Sequence, residues 1–181
     1  MTTEELLAIP EDMTDRMLID GRLVEWPMTY RDRWGAACMA HLAAILCDWS
    51  DAQPEPRGVV LAGTPGFRLF RDPDTTIGID AAFVSPDVMA RQTDAMPLVE
   101  GVPVLAIEIP LPCDTHEKIT LKLATYRRAR VPLVRRVNAI DRTVTVYRLG
   151  AKPKLVDDSM DLNGEPELPG FSVMAAQLFE E

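Results

Sequence analysis

Two carboxylates stand in surroundings that make them conspicuous. Asp80 lies inside the apolar run TIGIDAAFV (76–84) and Glu108 inside VLAIEI (104–109). A buried carboxylate is costly unless it is paired, neutralised or bound to a cation, so each needs a partner. Lys122 can supply one. On a helical wheel of about 100° per residue it flanks the stripe Ile119, Leu123, Tyr126, so its stem follows apolar surface while the ammonium reaches outward. Two carboxylates with a lysine suit metal-assisted phosphodiester hydrolysis. The oxygens hold Mg²⁺ (or Mn²⁺), the ion acidifies a bound water and neutralises phosphate charge, and the lysine steers that water or stabilises the transition state. A buried salt bridge between Lys122 and one of the acids fits the same three residues equally well.

The elements that must position these side chains follow from pattern. Thr2 and Glu5 have capping-box spacing, predicting a short helix over 3–9, and Asp20-Gly21 between two apolar runs predicts a β-hairpin. Trp34, Cys38, Leu42, Ile45, Leu46 and Trp49 recur at helical spacing, giving an amphipathic helix over 30–49, with His41 beside the stripe as a satisfied, partly buried histidine. GVVLAG and FRLF, joined through Thr64-Pro65-Gly66, read as a strand pair, and 76–84 as a strand closed by the helix-start signature Ser85-Pro86-Asp87. VLAIEI reads as a sheet-interior strand buried on both faces and ended by Pro110 and Pro112. Asp114 with Glu117 has capping-box spacing for a helix reaching about residue 129. VPLVRRVN and TVTVYRL are strands linked by the turn 139–142, and the apolar segment LPGFSVMAAQLF docks against the body. This order predicts an α/β (α+β type) fold, a mixed central sheet with hairpins flanked by helices, as one domain over 1–181.

With 47% hydrophobic and 26% charged residues the chain is expected to fold rather than remain disordered. Its net charge of −9 opposes non-specific attraction to nucleic acid, so such binding needs a local patch. Arg127, Arg128, Arg130, Arg135 and Arg136 crowd one stretch and supply a candidate. The N-terminus has no basic segment followed by an apolar run, and the chain holds no apolar stretch of membrane-spanning length, so a cytoplasmic protein with no membrane partner is expected. Cys38, Cys47 and Cys113 are odd in number and lack zinc-site spacing, which reads as reduced, mostly buried thiols. Oligomeric state stays open, a homodimer included.

MTTEELLAIP, LIDGRLVE, GFRLFRDPDTTIGIDAAFV, LAIEI, the K-x-x-x-Y of Lys122 to Tyr126, RTVTVYR and LPGFSV occur in the order and spacing of one known pattern. In these seven motifs the chain resembles the bacterial Uma-type family of restriction-endonuclease-like proteins, within the PD-(D/E)XK nuclease-like superfamily. The resemblance implies a metal-dependent endonuclease acting on DNA, with Asp80 and Glu108 as metal ligands and Lys122 completing the catalytic set. Under that reading Arg127, Arg128 and Arg130 are the expected nucleic-acid contacts. The chain also departs from the pattern. Met17 stands where the family has glutamate, Trp34 where it often has histidine, Pro110 where the motif lysine is expected, and Asn138 where aspartate is common. These departures keep a second reading open, a catalytically degenerate nucleic-acid-binding or protein-interaction domain. A third is a structural module in which the three charges form a salt bridge.

Overall fold

Asp20 and Gly21 have φ of 52° and 70°, the left-handed pair that lets a two-residue turn join antiparallel strands β1 (Thr14–Ile19) and β2 (Arg22–Pro27). This computed structural model describes residues 1–180. Helix α1 (Thr3–Leu7) starts with the expected Thr2–Glu5 capping box, and Thr3 donates from its backbone N–H to Asp74 Oδ2 at 2.7 Å. Helix α2 (Arg33–Asp51) is capped by Asp32, which accepts from the Gly35 N–H at 2.7 Å, so residues 30 and 31 precede the helix rather than open it.

Strands β3 (Val59–Ala62), β4 (Gly66–Phe70), β5 (Thr75–Gly78) and β6 (Ala81–Val84) overturn two expectations. β3 does not pair with β4; it pairs with β6, while β4 pairs with β5. Residues 76–84 are not one strand either, because the chain breaks at Ile79-Asp80 and passes from one sheet to the other. Both departures share a cause. Gly63 and Thr64 have positive φ, 94° and 62°, and both donate backbone N–H to the Asp80 carbonyl, at 3.1 and 3.2 Å. The two crossings are thereby clamped side by side.

The short α3 (Pro86–Met89) is capped by Ser85, and β7 (Val99–Glu100) runs parallel to β4. β8 (Leu105–Glu108), α4 (His116–Arg128) and β9 (Leu133–Asn138) form a crossover unit, with β8 and β9 parallel. The cap of α4 is Thr115, which accepts from the Lys118 N–H, and not Asp114. β10 (Thr143–Arg148) and β11 (Lys154–Asp157) continue as an antiparallel meander. A ribbon of β12 (Asp161–Asn163) and β13 (Ser172–Met174) leads into a closing 3₁₀ helix, Ala175–Phe179. The result is a five-stranded sheet, β2-β1-β5-β4-β7, beside a six-stranded sheet, β11-β10-β9-β8-β6-β3. No helix among the described residues is long and apolar enough to cross a membrane.

Alternation along β8 decides which way the site faces. Leu105 and Ile107 pack with Leu42 and Leu46 of α2 and with Phe171 and Leu178 of the C-terminal segment. Ala106 packs with Tyr126 of α4 and with Met17, Phe67 and Ile77 of the five-stranded sheet. Glu108, two residues beyond Ala106, therefore points to the α4 side. Of the three free cysteines only Cys38 is buried, Cys47 and Cys113 being exposed, and the Nδ1 of His41 is buried without a partner rather than satisfied. Burial pushes the Cys38 thiol up to about 12, so it stays protonated.

Candidate active site

The β6–β8 ladder pairs Ala81 with Ile107 and Ala82 with Ala106. Carried one step further, this register sets Asp80 beside Glu108 at the ends of neighbouring strands, on the face that α4 covers. Both acids are buried, 7% and 8% exposed. Asp80 Oδ2 accepts from the Ile109 backbone N–H at 2.7 Å, and Oδ1 pairs with Nη2 of Arg31 at 2.8 Å. The hydroxyl of Thr64 donates weakly to the same oxygen at 3.4 Å. Glu108 Oε2 accepts from Lys122 Nζ at 2.5 Å, and Oε1 accepts a short hydrogen bond from the Tyr126 hydroxyl. Lys122 and Tyr126 are four residues apart on α4, hence on one helix face, and they engage the two oxygens of one carboxylate.

Thus Asp80, Glu108 and Lys122 meet in one place. Burial pushes the Glu108 carboxyl up from 4.5 to about 7; the Lys122 charge and the hydrogen bonds from Lys122 and Tyr126 oppose the shift, and the Asp80 charge adds to it. Burial, with Glu108 beside it, holds the Tyr126 phenol well above its ordinary value, so its hydroxyl stays a donor. A small cavity of about 10 Å³ beside Glu108 is lined by Asp114, Lys118, Lys122 and Arg136 among others. Lys118 bridges Asp114 at 2.6 Å and Asp15 at 2.8 Å. Burial alone lowers its pKa, but these two carboxylates outweigh burial and hold it above 10.5. Arg136 lies opposite Glu108 in the β8–β9 register, and its Nε is buried with no partner.

Several of these residues carried no site role in the sequence. Arg31 sits in the aperiodic stretch before α2, and nothing local marks it. Arg136 counted only as one of a cluster of arginines. Tyr126 was legible as part of K-x-x-x-Y, whose spacing already puts its hydroxyl on the lysine's face.

The arginines expected to touch nucleic acid follow Tyr126 at the end of α4. Arg127, Arg128 and Arg130 are exposed at its C-terminus. Arg128 reaches Asp20 Oδ2 at 2.5 Å and Thr75 Oγ1 at 2.9 Å, with its guanidinium 4.8 Å from the Phe70 ring centroid. Arg135 is fully buried on the opposite face of the sheet from Glu108, 4.7 Å from the Phe171 ring centroid, and burial lowers its pKa to about 9. Met17 is 1% exposed and packed into the core between the sheets, so the β1 position where the family carries glutamate adds no oxygen ligand.

The donors at the centre are two carboxylates and the Ile109 carbonyl, which accepts from Arg31 Nη1 at 2.6 Å. No group of three or more His, Cys, Asp or Glu side chains arranged for a metal occurs among the described residues. Mg²⁺ commonly uses one or two carboxylates with waters filling its other positions, so this all-oxygen set fits it in kind.

The architecture is that of a nuclease-type α+β fold. It matches the crystal structure of "a putative nuclease belonging to DUF820" from Anabaena variabilis with a TM-score of 0.77 at 16% identity, over 99% of this chain and 97% of that one. The profile of the Uma2 family, described as "Putative restriction endonuclease", matches residues 3–177, and the chain belongs to that family. No curated protein matches the sequence.

Proposed function

We propose that the chain is a Mg²⁺- or Mn²⁺-dependent endonuclease that hydrolyses DNA phosphodiester bonds at Asp80, Glu108 and Lys122. The observation that carries this reading is the placement of two buried carboxylates on adjacent strand ends with a lysine 2.5 Å from one of them. Asp80 and Glu108 would hold the metal together with the Ile109 carbonyl. When bound, the ion supplies Lewis acidity and lowers the pKa of water. Lys122 holds a positive charge beside the carboxylate and is placed to orient the attacking water or to offset charge gathering on the phosphate. Tyr126 fixes the rotamer of Glu108 through its other oxygen. Water adds to phosphorus, one P–O ester bond breaks, and the proton lost by the water passes to solvent or to the departing oxygen. Arg127 and Arg130, exposed at the helix end, are free to meet the DNA backbone; Arg128 does so after leaving Asp20.

A degenerate nucleic-acid- or protein-binding domain is the second reading, favoured by the buried Met17. Cleavage of single- and double-stranded DNA in Mg²⁺ and Mn²⁺ separates the two. Cleavage that is lost in Asp80→Asn, Glu108→Gln and Lys122→Ala supports the nuclease. Turnover absent from the wild-type chain under both metals, with DNA still bound, supports the binding domain.

A further inference from the structure

Arg31 is a partly buried arginine whose contacts converge on the site. One guanidinium takes two oxygens, one just before β6 and one just after β8: Nη2 pairs with Asp80 Oδ1 at 2.8 Å and Nη1 donates to the Ile109 carbonyl at 2.6 Å. A carboxylate and a backbone carbonyl converging on one positive charge is the donor arrangement that hard divalent cations take. The Asp80 side chain is only 10% exposed and Arg31 only 21%, so the pair leaves little room for a second cation at the same oxygens.

We infer that Arg31 is the resident cation of this centre, filling the place between Asp80 and the Ile109 carbonyl, so that metal binding and the Arg31–Asp80 ion pair exclude one another. The inference rests on the reading of Asp80 and Glu108 as a metal site. It deepens that reading by making the arginine a gate on loading. Lys122 neutralises the other acid in the same way, but from the rigid middle of α4. Arg31 comes from the segment between β2 and α2, where neighbouring Met28 and Tyr30 are 45% and 89% exposed. Its withdrawal breaks two hydrogen bonds, to Asp80 and to the Ile109 carbonyl. A site that spends only a fraction of its time without the arginine binds metal more weakly by that fraction, and removing the arginine restores the intrinsic affinity.

The test is calorimetric titration of Mn²⁺ into the wild-type chain, Arg31→Ala, Arg31→Gln and Asp80→Asn, with circular dichroism confirming the fold of each. Arg31→Gln keeps a donor for the Ile109 carbonyl without the charge, so it guards against collapse of the alanine variant. Roughly tenfold or greater tightening in either Arg31 variant, with binding abolished by Asp80→Asn, supports the gate. Equal affinity in the wild type and both Arg31 variants, still abolished by Asp80→Asn, overturns the gate and leaves the metal site standing. No Mn²⁺ bound by any of them overturns both. An NMR readout needs no variant: the Arg31 Nε–H signal of the wild-type chain should shift and exchange faster with solvent as Mg²⁺ is added. An unchanged signal at metal saturation counts against the gate.

Discussion

Asp80 Oδ2 accepts the backbone N–H of Ile109 at 2.7 Å, so one acid is fastened to the peptide unit next to the other acid, Glu108. The same carboxylate pairs with Arg31, and Asp80 lies where the chain leaves one sheet for the other. Asp80→Ala should therefore strand a buried N–H and a largely buried guanidinium, at a cost of about 3–5 kcal/mol. Asp80→Asn keeps an acceptor for Ile109 and should cost less, about 1–3 kcal/mol. Urea unfolding checks both, and a loss below about 1 kcal/mol in each would mean that Asp80 does not organise the sheet junction.

The raised pKa of Glu108 makes stability pH-dependent in a defined direction. Its carboxyl moves from 4.5 to about 7 on folding, so the native state holds the proton more tightly than the unfolded chain. That contribution is fully present below pH 4.5 and is lost as pH rises through about 7. In metal-free buffer the wild type should lose about 3 kcal/mol relative to Glu108→Gln across this window. Unfolding at pH 4.5 and pH 8 gives the measurement, and a difference between the two proteins that stays flat with pH contradicts the assignment.

Tyr126→Phe removes one donor to Glu108 and leaves the ring in place. Since that hydrogen bond favours the ionised carboxylate, the Glu108 pKa should rise above about 7 in the variant. The fold should lose about 1–2 kcal/mol. Carbon-detected NMR titration of the Glu108 carboxyl reads the shift, and a downward move would show that the hydroxyl does not stabilise the charge.

Arg127 and Arg130 have a role in DNA binding only if their charges meet phosphates. Replacing both with alanine should weaken binding at every sequence and reduce the slope of log K against log salt by about 2. Arg128→Ala should also release the hairpin at Asp20, an exposed pair contributing no more than about 1 kcal/mol. Filter binding between low and moderate salt separates these effects. An unchanged slope in the double variant makes the helix end an ordinary solvated surface.

The sequence by itself determined the local elements and the identity of the charges. The Thr2 and Ser85 caps, the Asp20-Gly21 turn and the spacing along α2 and α4 act within a few residues, so they are readable without a partner. An acid inside an apolar run is conspicuous for the same reason, which is why Asp80, Glu108 and Lys122 were legible before any fold was known. Strand partnership was not. Residues 76–84 look like one strand because all but Asp80 are apolar or β-branched, yet Gly63 and Thr64, distant in sequence, draw the Asp80 carbonyl out of the ladder and split the run between two sheets. The counter-ions were decided at the same level. Lys122 and Tyr126 could be grouped by helical spacing, but Arg31 reaches Asp80 across 49 residues of chain from a stretch with no periodicity. Only the tertiary structure sets an aperiodic arginine against a buried carboxylate, because the energy that selects the pair comes from the shared exclusion of water and not from either sequence neighbourhood.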